Sequence, residues 1–122
     1  MIAACLTGDV DSMEAYFHAD YKTYGPGYQD SRTRQEVIDR WVSFARNFED
    51  GKLENAIYYS LIISDESELK ELIGTWLLVW GTVSFSDGQN KVYSPVHMTF
   101  RMNNGKIDMG RFYYDRLTRN QQ

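Results

Sequence analysis

The feature that most constrains this 122-residue chain is a change of pattern at Gly51. After it, β-branched and alternating residues form segments separated by turn residues such as Asp87-Gly88 and Asn104-Gly105. Such a series predicts an antiparallel meander, with strands over residues 56–63, 69–85, 92–102 and 107–117. The second segment is much longer than an ordinary strand and contains Gly74 and Gly81, so we expect it to bend or bulge there.

The part before Gly51 favours helices. Asp9 can cap a helix over residues 9–18, in which apolar residues recur on one stripe. A short strand over residues 21–24 follows. Thr33 and Glu36 have the T-x-x-E form of a capping box and predict the start of a second, broadly apolar helix, for which Asp50-Gly51 supplies the stop. Helices followed by a long curled sheet predict an α+β fold, formed by a single domain over residues 1–122.

Charge and composition exclude several kinds of partner. The formal net charge is −4 and the thirteen lysines and arginines are scattered, so we expect neither nucleic acid nor an anionic membrane as a partner. Cys5 is the only cysteine, which rules out an internal disulfide and is typical of a reducing, cytoplasmic location. No apolar run approaches the roughly 20 residues of a membrane span, and no secretory signal pattern opens the chain.

Strand register determines which side chains share a face of the sheet. A two-residue turn at Asn104-Gly105 places His97 opposite Phe112. The same register places Pro95 opposite Tyr114, Thr99 opposite Gly110, and Arg101 opposite Asp108, where an ion pair can form. The preceding hairpin can have a two-residue turn at Asp87-Gly88 or a four-residue turn through Asn90. Both turn lengths place Trp76, Leu78 and Trp80 on the face of His97.

The two faces of this predicted sheet differ in character. The face of His97 is aromatic with a few polar groups, as expected of a small-molecule site. The other face, which includes Val79, Val96, Met98 and Phe100, is too apolar to meet water, and we expect a homodimer through it. A one-residue bulge would exchange the two faces beyond it.

Several landmarks together resemble a known family. They are Gly8-Asp9 before a short helix, His18-Ala19-Asp20-Tyr21 entering a strand, the Gly25-Pro26-Gly27 turn, Trp41 in a capped helix, and Asn104-Gly105-Lys106-Ile107 late in the meander. In this order they resemble the SnoaL-like branch of the NTF2-like superfamily. The resemblance implies an α+β cone, in which a curved antiparallel sheet wraps around N-terminal helices, with an apolar pocket and frequent dimerisation through the sheet. Members include polyketide cyclases, ketosteroid isomerase, scytalone dehydratase and limonene epoxide hydrolase, as well as many proteins that catalyse no reaction.

The resemblance also bears on catalysis. His97 falls where ketosteroid isomerase places an acid that hydrogen-bonds the developing oxyanion. Gly25 falls where that family has its general-base aspartate, and its tyrosine acid would lie in a first helix that this chain has almost entirely lost, which argues against steroid-type isomerisation. The cyclase pattern pairs a histidine with an aspartate; Asp108 and Asp115 are near in sequence, but the predicted register puts Asp115 on the opposite side.

The candidate catalytic residues are therefore His97 and Asp108. A neutral imidazole can act as acid or base, although contact with a ligand or a purely structural role are the alternatives. Asp108 could orient His97 or serve as a base, but opposite Arg101 it is more typical of half an ion pair. The residues predicted to contact a ligand are Tyr24, Tyr58, Trp76, Trp80, His97, Phe112 and Tyr114.

Two functional hypotheses follow. The first is a domain that binds a small, mostly apolar molecule, with a cofactor-free cyclase, isomerase or dehydratase as its enzymatic version. The second is a non-catalytic, dimeric binding or accessory domain. Two distant histidines and one cysteine predict no metal site, and we expect no cofactor because no phosphate loop, dinucleotide fingerprint or nucleophile elbow is present.

Overall fold

The computed structural model describes residues 1–25, 30–64 and 70–114. Its fold is α+β, as predicted. The elements in chain order are α1 (Ile2–Thr7), α2 (Val10–Tyr16), β1 (Phe17–Tyr24), β2 (Ser31–Thr33), α3 (Arg34–Asn47), β3 (Glu49–Ile63), a 3₁₀ turn (Lys70–Leu72), β4 (Gly74–Ser86), β5 (Lys91–Asn103) and β6 (Lys106–Tyr114).

The sheet is curved and does not close on itself. Its strand order is β2-β1-β6-β5-β4-β3. Strands β3 to β6 form the predicted antiparallel meander, whereas β1 joins it parallel to β6 and carries β2 antiparallel at its edge. Thus the first strand of the chain, β1, and the last, β6, are neighbours within the sheet.

Most element boundaries were close to the sequence prediction, with some corrections. Asp9 caps α2 through its side chain, but this helix ends at Tyr16 and the strand predicted over 21–24 already begins at Phe17. The helix α1 and the strand β2 were not predicted, because both are too short to show a periodicity. Parts of the predicted 69–85 and 107–117 strands, Leu69 and residues 115–117, lie outside the described residues.

Helix α3 begins as its sequence predicted. The Thr33 side chain accepts a hydrogen bond from the Glu36 amide, and the Glu36 carboxylate accepts one from the Thr33 amide, which completes the capping box. These hydrogen bonds, led by the one from the Thr33 amide, lower the pKa of Glu36. The helix ends at Asn47, and Asp50-Gly51 is part of β3 rather than the helix stop that we expected.

Helix α3 lies on the apolar face of the sheet, here called the helix face and defined by Val79, Met98 and Phe100. These three residues are at most 2% exposed and share one core with Val37 and Ile38 of α3. The opposite face, here called the open face, is defined by Trp80, His97 and Tyr113, which pair across β4, β5 and β6.

This arrangement corrects the predicted use of the two faces. The apolar face, which we expected to meet a second copy, is covered by the helices of the same chain. The physical reason is that α3 has its own broad apolar face, which is stabilised most by burial against the more apolar side of the sheet, at about 25 cal/mol per Å² removed from water. The helices therefore leave the aromatic face of His97 uncovered.

Register is the second correction. Asn103 pairs with Lys106 as predicted, but a bulge between Arg101 and Met102 shifts the rest of β6 by one residue. Consequently His97 lies opposite Tyr113 rather than Phe112, Thr99 opposite Arg111 rather than Gly110, and Tyr114 opposite Val96 rather than Pro95. The β4–β5 register runs unbroken through Gly81, and the bulge expected there lies in the neighbouring strand β3, between Glu54 and Ile57.

Helix α1 is followed by a glycine that packs closely against α3. This C-cap residue, Gly8, has φ 71° and would place a Cβ atom 2.9 Å from the Cβ of Ala45 in α3. Only glycine accommodates both this backbone conformation and the close approach. Within the described ranges, no helix combines the length and the apolar character that crossing a membrane requires.

The centre of the sheet depends on a second glycine contact. A Cβ atom on Gly110 would lie 2.5 Å from the hydroxyl oxygen of Tyr21, which packs across β6 from β1. Tyr21 is 1% exposed and stacks on Phe17 at a centroid distance of 4.4 Å. Gly110 is thus the space into which the Tyr21 phenol fits.

Substituting Gly110→Ala should therefore destabilise the protein by about 1–3 kcal/mol through overpacking. The matched control is Gly51→Ala, whose Cβ would make contacts no closer than 3.4 Å and whose effect should stay within about 0.5 kcal/mol. Urea denaturation measures both. In a Tyr21→Phe background the added cost of Gly110→Ala should shrink, since the hydroxyl is gone; an equal cost in both backgrounds would contradict the assignment.

Candidate functional site: a cavity under helix α3

A cavity of about 250 Å³ lies between α3 and the helix face of the sheet. This is slightly below the roughly 300–1,000 Å³ of pockets for drug-sized ligands. The described residues that line it are Thr23, Gly25, Arg32, Val37, Arg40, Trp41, Ser43, Phe44, Asn47, Phe48, Val83, Phe85, Ser94, Val96, Met98 and Phe112. Its size suits a small molecule of one or two rings.

Aromatic rings form much of the wall. Phe44 and Phe48 of α3 meet Phe85 of β4 edge-on, at centroid distances of 5.0 and 4.7 Å. Trp41 of α3 faces Phe112 of β6 at 6.1 Å. Because these rings already contact one another in preferred tilted or edge-to-face geometry, they form a preorganised apolar surface.

Two of the described polar side chains that line the cavity are deeply buried, and they differ in their hydrogen bonding: Thr23 bonds Tyr21, whereas Ser94 has no partner in the described chain. Ser94 of β5 is 3% exposed, and its hydroxyl has no hydrogen-bond partner among the described residues. Val83 lies opposite it on β4. A buried hydroxyl without a partner is costly, so Ser94 is the place on the floor where a ligand atom or a water molecule would be stabilised.

The polar residues that line the cavity on α3 lie along its rim. Arg40, Ser43 and Asn47 of α3 are exposed and follow one another along the helix, and Arg32 of β2 lines the same cavity. Among the described lining residues the arginines are the only ionisable groups, and none of these residues has a carboxylate, imidazole, phenol or thiol. The described part of the wall can therefore bind and orient a molecule, but offers no side chain suited to proton transfer near neutral pH.

Two buried ionisable groups lie near the cavity without lining it. Thr23 donates its hydroxyl hydrogen to the phenol oxygen of Tyr21, and burial raises the pKa of Tyr21 above its usual value. Burial also raises the pKa of the Cys5 thiol in the core to about 12. Both groups stay neutral at physiological pH, as members of the core.

Of the predicted ligand contacts whose side chains the structure describes, Phe112 alone lines this cavity. The bulge at Asp108 turns it to the helix face, where it contacts Trp41 and Phe100. His97 and Trp80 lie together on the open face, with ring centroids 5.4 Å apart and Tyr113 on the other side of the imidazole at 5.9 Å. The ring nitrogen Nε2 of His97 is buried and has no partner among the described residues.

The remaining predicted ligand contacts are dispersed. Trp76 is 5% exposed on the open face, where its indole N–H donates to the Leu72 carbonyl. Tyr24 lies under the guanidinium of Arg111, and Tyr58 is exposed on the edge strand β3. The side chain of Tyr114 and all of Asp115 lie outside the described residues. The structure therefore does not bring the seven predicted residues together into one site, and their role in binding stays a prediction.

Asp108 forms the predicted ion pair. Its carboxylate accepts hydrogen bonds from Arg101 Nε at 2.8 Å and from Asn103 Nδ2 at 3.2 Å. Both members of the pair are largely shielded from solvent. In the described parts of the chain, no three histidine, cysteine, aspartate or glutamate side chains come together as metal ligands would.

Apart from Phe112, the described residues of the cavity were not predicted, because the sequence analysis placed the candidate ligand contacts on the face of His97. One signal could have indicated the cavity. Val37, Trp41, Phe44 and Phe48 recur at helical spacing, and Arg40, Ser43 and Asn47 recur along the edge of the same stripe. A helix with a wide apolar face bordered by polar residues that can line an opening is the arrangement that the structure shows.

Comparisons with known proteins agree with this architecture. A family model described as a SnoaL-like domain matches residues 1–108. A protein with a ketosteroid isomerase-like fold from Catenulispora acidiphila, in complex with trimethylamine, superposes with a TM-score of 0.72 at 13% identity, covering 98% of this chain and 85% of that one. No curated protein matches the sequence.

Two further solved structures are similar. An LEH-like epoxide hydrolase from M. tuberculosis gives a TM-score of 0.62 at 17% identity, covering 98% of this chain and 80% of that one. IdmH, a candidate polyketide cyclase from Streptomyces antibioticus, gives a TM-score of 0.69 at 11% identity, covering 98% of this chain and 89% of that one. At these identities the likeness concerns the fold, and it confirms the predicted NTF2-like cone.

The different surroundings of two buried hydroxyls lead to a prediction. Ser94→Ala removes a hydroxyl that has no protein partner, so the free energy of unfolding should stay unchanged or rise by up to about 1 kcal/mol. Thr23→Val removes a hydroxyl that is hydrogen-bonded to Tyr21, and should lower the free energy of unfolding by about 0.5–1.5 kcal/mol. Urea denaturation of the two variants makes the comparison; an equal loss in both would show that Ser94 is bonded within the protein.

Proposed function

Because the chain belongs to the SnoaL-like domain family, whose model matches residues 1–108, we propose that it binds a small, mostly apolar molecule in the cavity under α3. The observation that carries this proposal is the lining. Aromatic rings form the wall, Ser94 places one buried hydroxyl on the floor, and polar residues lie at the rim. A few convergent polar groups in an otherwise apolar concavity are typical of small-molecule sites.

The lining favours binding without catalysis. A cofactor-free cyclase, isomerase or dehydratase has to move a proton to or from its substrate. The described wall offers two arginines, which keep their protons at all physiological pH values, and no acid or base that titrates near neutrality. A non-catalytic binding domain therefore accounts for the cavity with the residues that are present.

The sequence-based alternative places the ligand on the other side of the sheet, against His97. Val96 and His97 are neighbours on β5 whose side chains lie on opposite faces: Val96 lines the cavity, and His97 packs between Trp80 and Tyr113. Phenylalanine at Val96 and phenylalanine at His97 therefore test separately whether the ligand lies in the cavity or on the open face.

We expect Val96→Phe to fill the cavity and weaken binding of a neutral aromatic probe, 2-naphthol, by at least about tenfold, whereas His97→Phe leaves the affinity unchanged. Ligand-observed NMR or isothermal titration calorimetry measures both. Ser43→Trp should close the cavity at its exposed rim without altering the core, and should weaken binding of 2-naphthol as Val96→Phe does. If His97→Phe alone abolishes binding, the ligand lies on the open face; if wild type binds no probe, the proposal fails.

We further propose that a second copy of the chain covers the open face. Six large apolar or aromatic side chains there are each about half exposed: Ile57, Tyr59, Leu61, Trp80, Tyr93 and Tyr113. A contiguous patch of this kind on a protein surface marks an interaction site. His97 Nε2 and Thr99 Oγ1, buried among these side chains without partners in the described chain, could find partners in a facing protein surface.

The charge pattern favours an identical partner. Several charged groups of the open face are paired within the chain: Lys52 and Lys91 with Glu54, and Arg101 with Asp108. Arg111, opposite Thr99, lies over the ring of Tyr24. A two-fold interface brings the same patch of each copy together, so pairing these charges within each chain limits like-charge repulsion between the copies.

Neighbouring tyrosines on β3 test this assembly. Tyr59 lies on the open face against Trp80, at a centroid distance of 5.6 Å, whereas Tyr58 pairs with Val79 of the helix face. Both are about half exposed. Tyr59→Arg should convert the dimer to monomer in light scattering at micromolar concentration, and Tyr58→Arg should leave it dimeric. A monomeric wild type, or equal effects of the two substitutions, would contradict the proposed interface.

A further inference from the structure

The rim of the cavity presents two arginines. Arg32 comes from β2 and Arg40 from α3, and both line the same opening. No ion pair or side-chain hydrogen bond to another described residue involves either guanidinium. Arg34 makes a useful contrast, because its guanidinium lies 3.5 Å from the carbonyl oxygens of Glu14 and Phe17 and so serves the fold.

A carboxylate near Arg32 is already engaged. Glu36 accepts hydrogen bonds in the capping box of α3, and these, with a smaller contribution from the nearby Arg32, lower its pKa. Glu36 therefore offsets part of the positive charge but does not hold the guanidinium of Arg32 or Arg40 in a hydrogen bond. In a chain of net charge −4, the rim is a local concentration of positive charge with donors available.

The interior supplies an independent sign of a ligand. Ser94 is 3% exposed, lines the floor, and has no hydrogen-bond partner for its hydroxyl among the described residues. The rings of Phe44, Phe85 and Phe112 line the same cavity. The described lining thus combines cationic donors, aromatic rings and one buried hydroxyl without a protein partner.

We infer that the molecule bound in this cavity is a small aromatic or alicyclic carboxylic acid, whose ring lies among the phenylalanines and whose carboxylate is bound by Arg32 and Arg40. This inference rests on the proposed binding function and names its ligand class. The planar guanidinium presents paired donors that match the two oxygens of a carboxylate, and such charge-assisted hydrogen bonds are stronger than neutral ones. The cavity volume of about 250 Å³ limits the acid to one or two rings.

A pair of probes with the same ring separates the charge from the apolar contribution. 2-Naphthoate carries the carboxylate, and 2-naphthamide replaces it with a neutral group of nearly the same shape. Isothermal titration calorimetry at low ionic strength should show the carboxylate binding about tenfold more tightly than the amide. The preference should decrease as salt is added, because exposed charges are screened.

Three glutamine variants assign that preference to residues. Arg32→Gln and Arg40→Gln should each reduce binding of 2-naphthoate several-fold while binding of 2-naphthamide stays the same. Arg46→Gln is the matched control, because Arg46 is an exposed arginine of α3 that does not line the cavity. It changes the net charge equally and should alter neither affinity. Equal thermal midpoints of the three variants establish that each is folded.

The possible results distinguish this inference from the proposed function. If both probes bind with equal affinity, or if Arg46→Gln weakens 2-naphthoate as much as the rim variants do, the carboxylate inference is wrong while the cavity remains a binding site. If neither probe binds wild type, the inference is wrong, and absence of 2-naphthol binding as well would remove the binding function itself.

Discussion

Burial of the apolar stripe of α3 against the sheet is the interaction on which the other features depend. The stripe contains Val37 and Ile38, which join the core with Val79, Met98 and Phe100, and it continues into Trp41, Phe44 and Phe48. Val37, Trp41, Phe44 and Phe48 of this stripe also line the cavity. One helix thus supplies both the stability of the core and the wall of the candidate site.

The same packing explains why the two faces of the sheet differ so much. A curved sheet with helices on one side can bury only that side, so the more apolar surface is covered within the chain. The open face keeps its aromatic residues because they are amphipathic: Tyr59, Tyr93 and Tyr113 each combine a ring with a hydroxyl that water can solvate. Several of its charged residues are paired within the chain. Such a surface can meet either water or another protein.

Local patterns predicted much of this fold, whereas two non-local features determined which residues line the cavity. The capping box of Thr33 and Glu36, the cap at Asp9 and the turn at Asn104-Gly105 act over three or four residues, and the structure contains all three. The Asp108 bulge and the choice of face for α3 depend on packing between distant segments, which sequence periodicity does not contain. The prediction therefore placed the strands well, whereas the cavity lies on the opposite face of the sheet from His97 and Trp80, the centre of the predicted site.

The bulge beside the Arg101–Asp108 ion pair has a consequence for how this architecture could diversify. It adds one residue to β6, and strand side chains alternate, so everything beyond it exchanges sides. With that residue deleted, Tyr113 would point beneath α3 and Phe112 outward, giving a phenol to the cavity and a bare ring to the opposite surface. A one-codon length change at this strand would therefore exchange an inert wall for one that carries a phenol. The same change would move Gly110 away from the Tyr21 phenol, so the core at that contact would have to change with it.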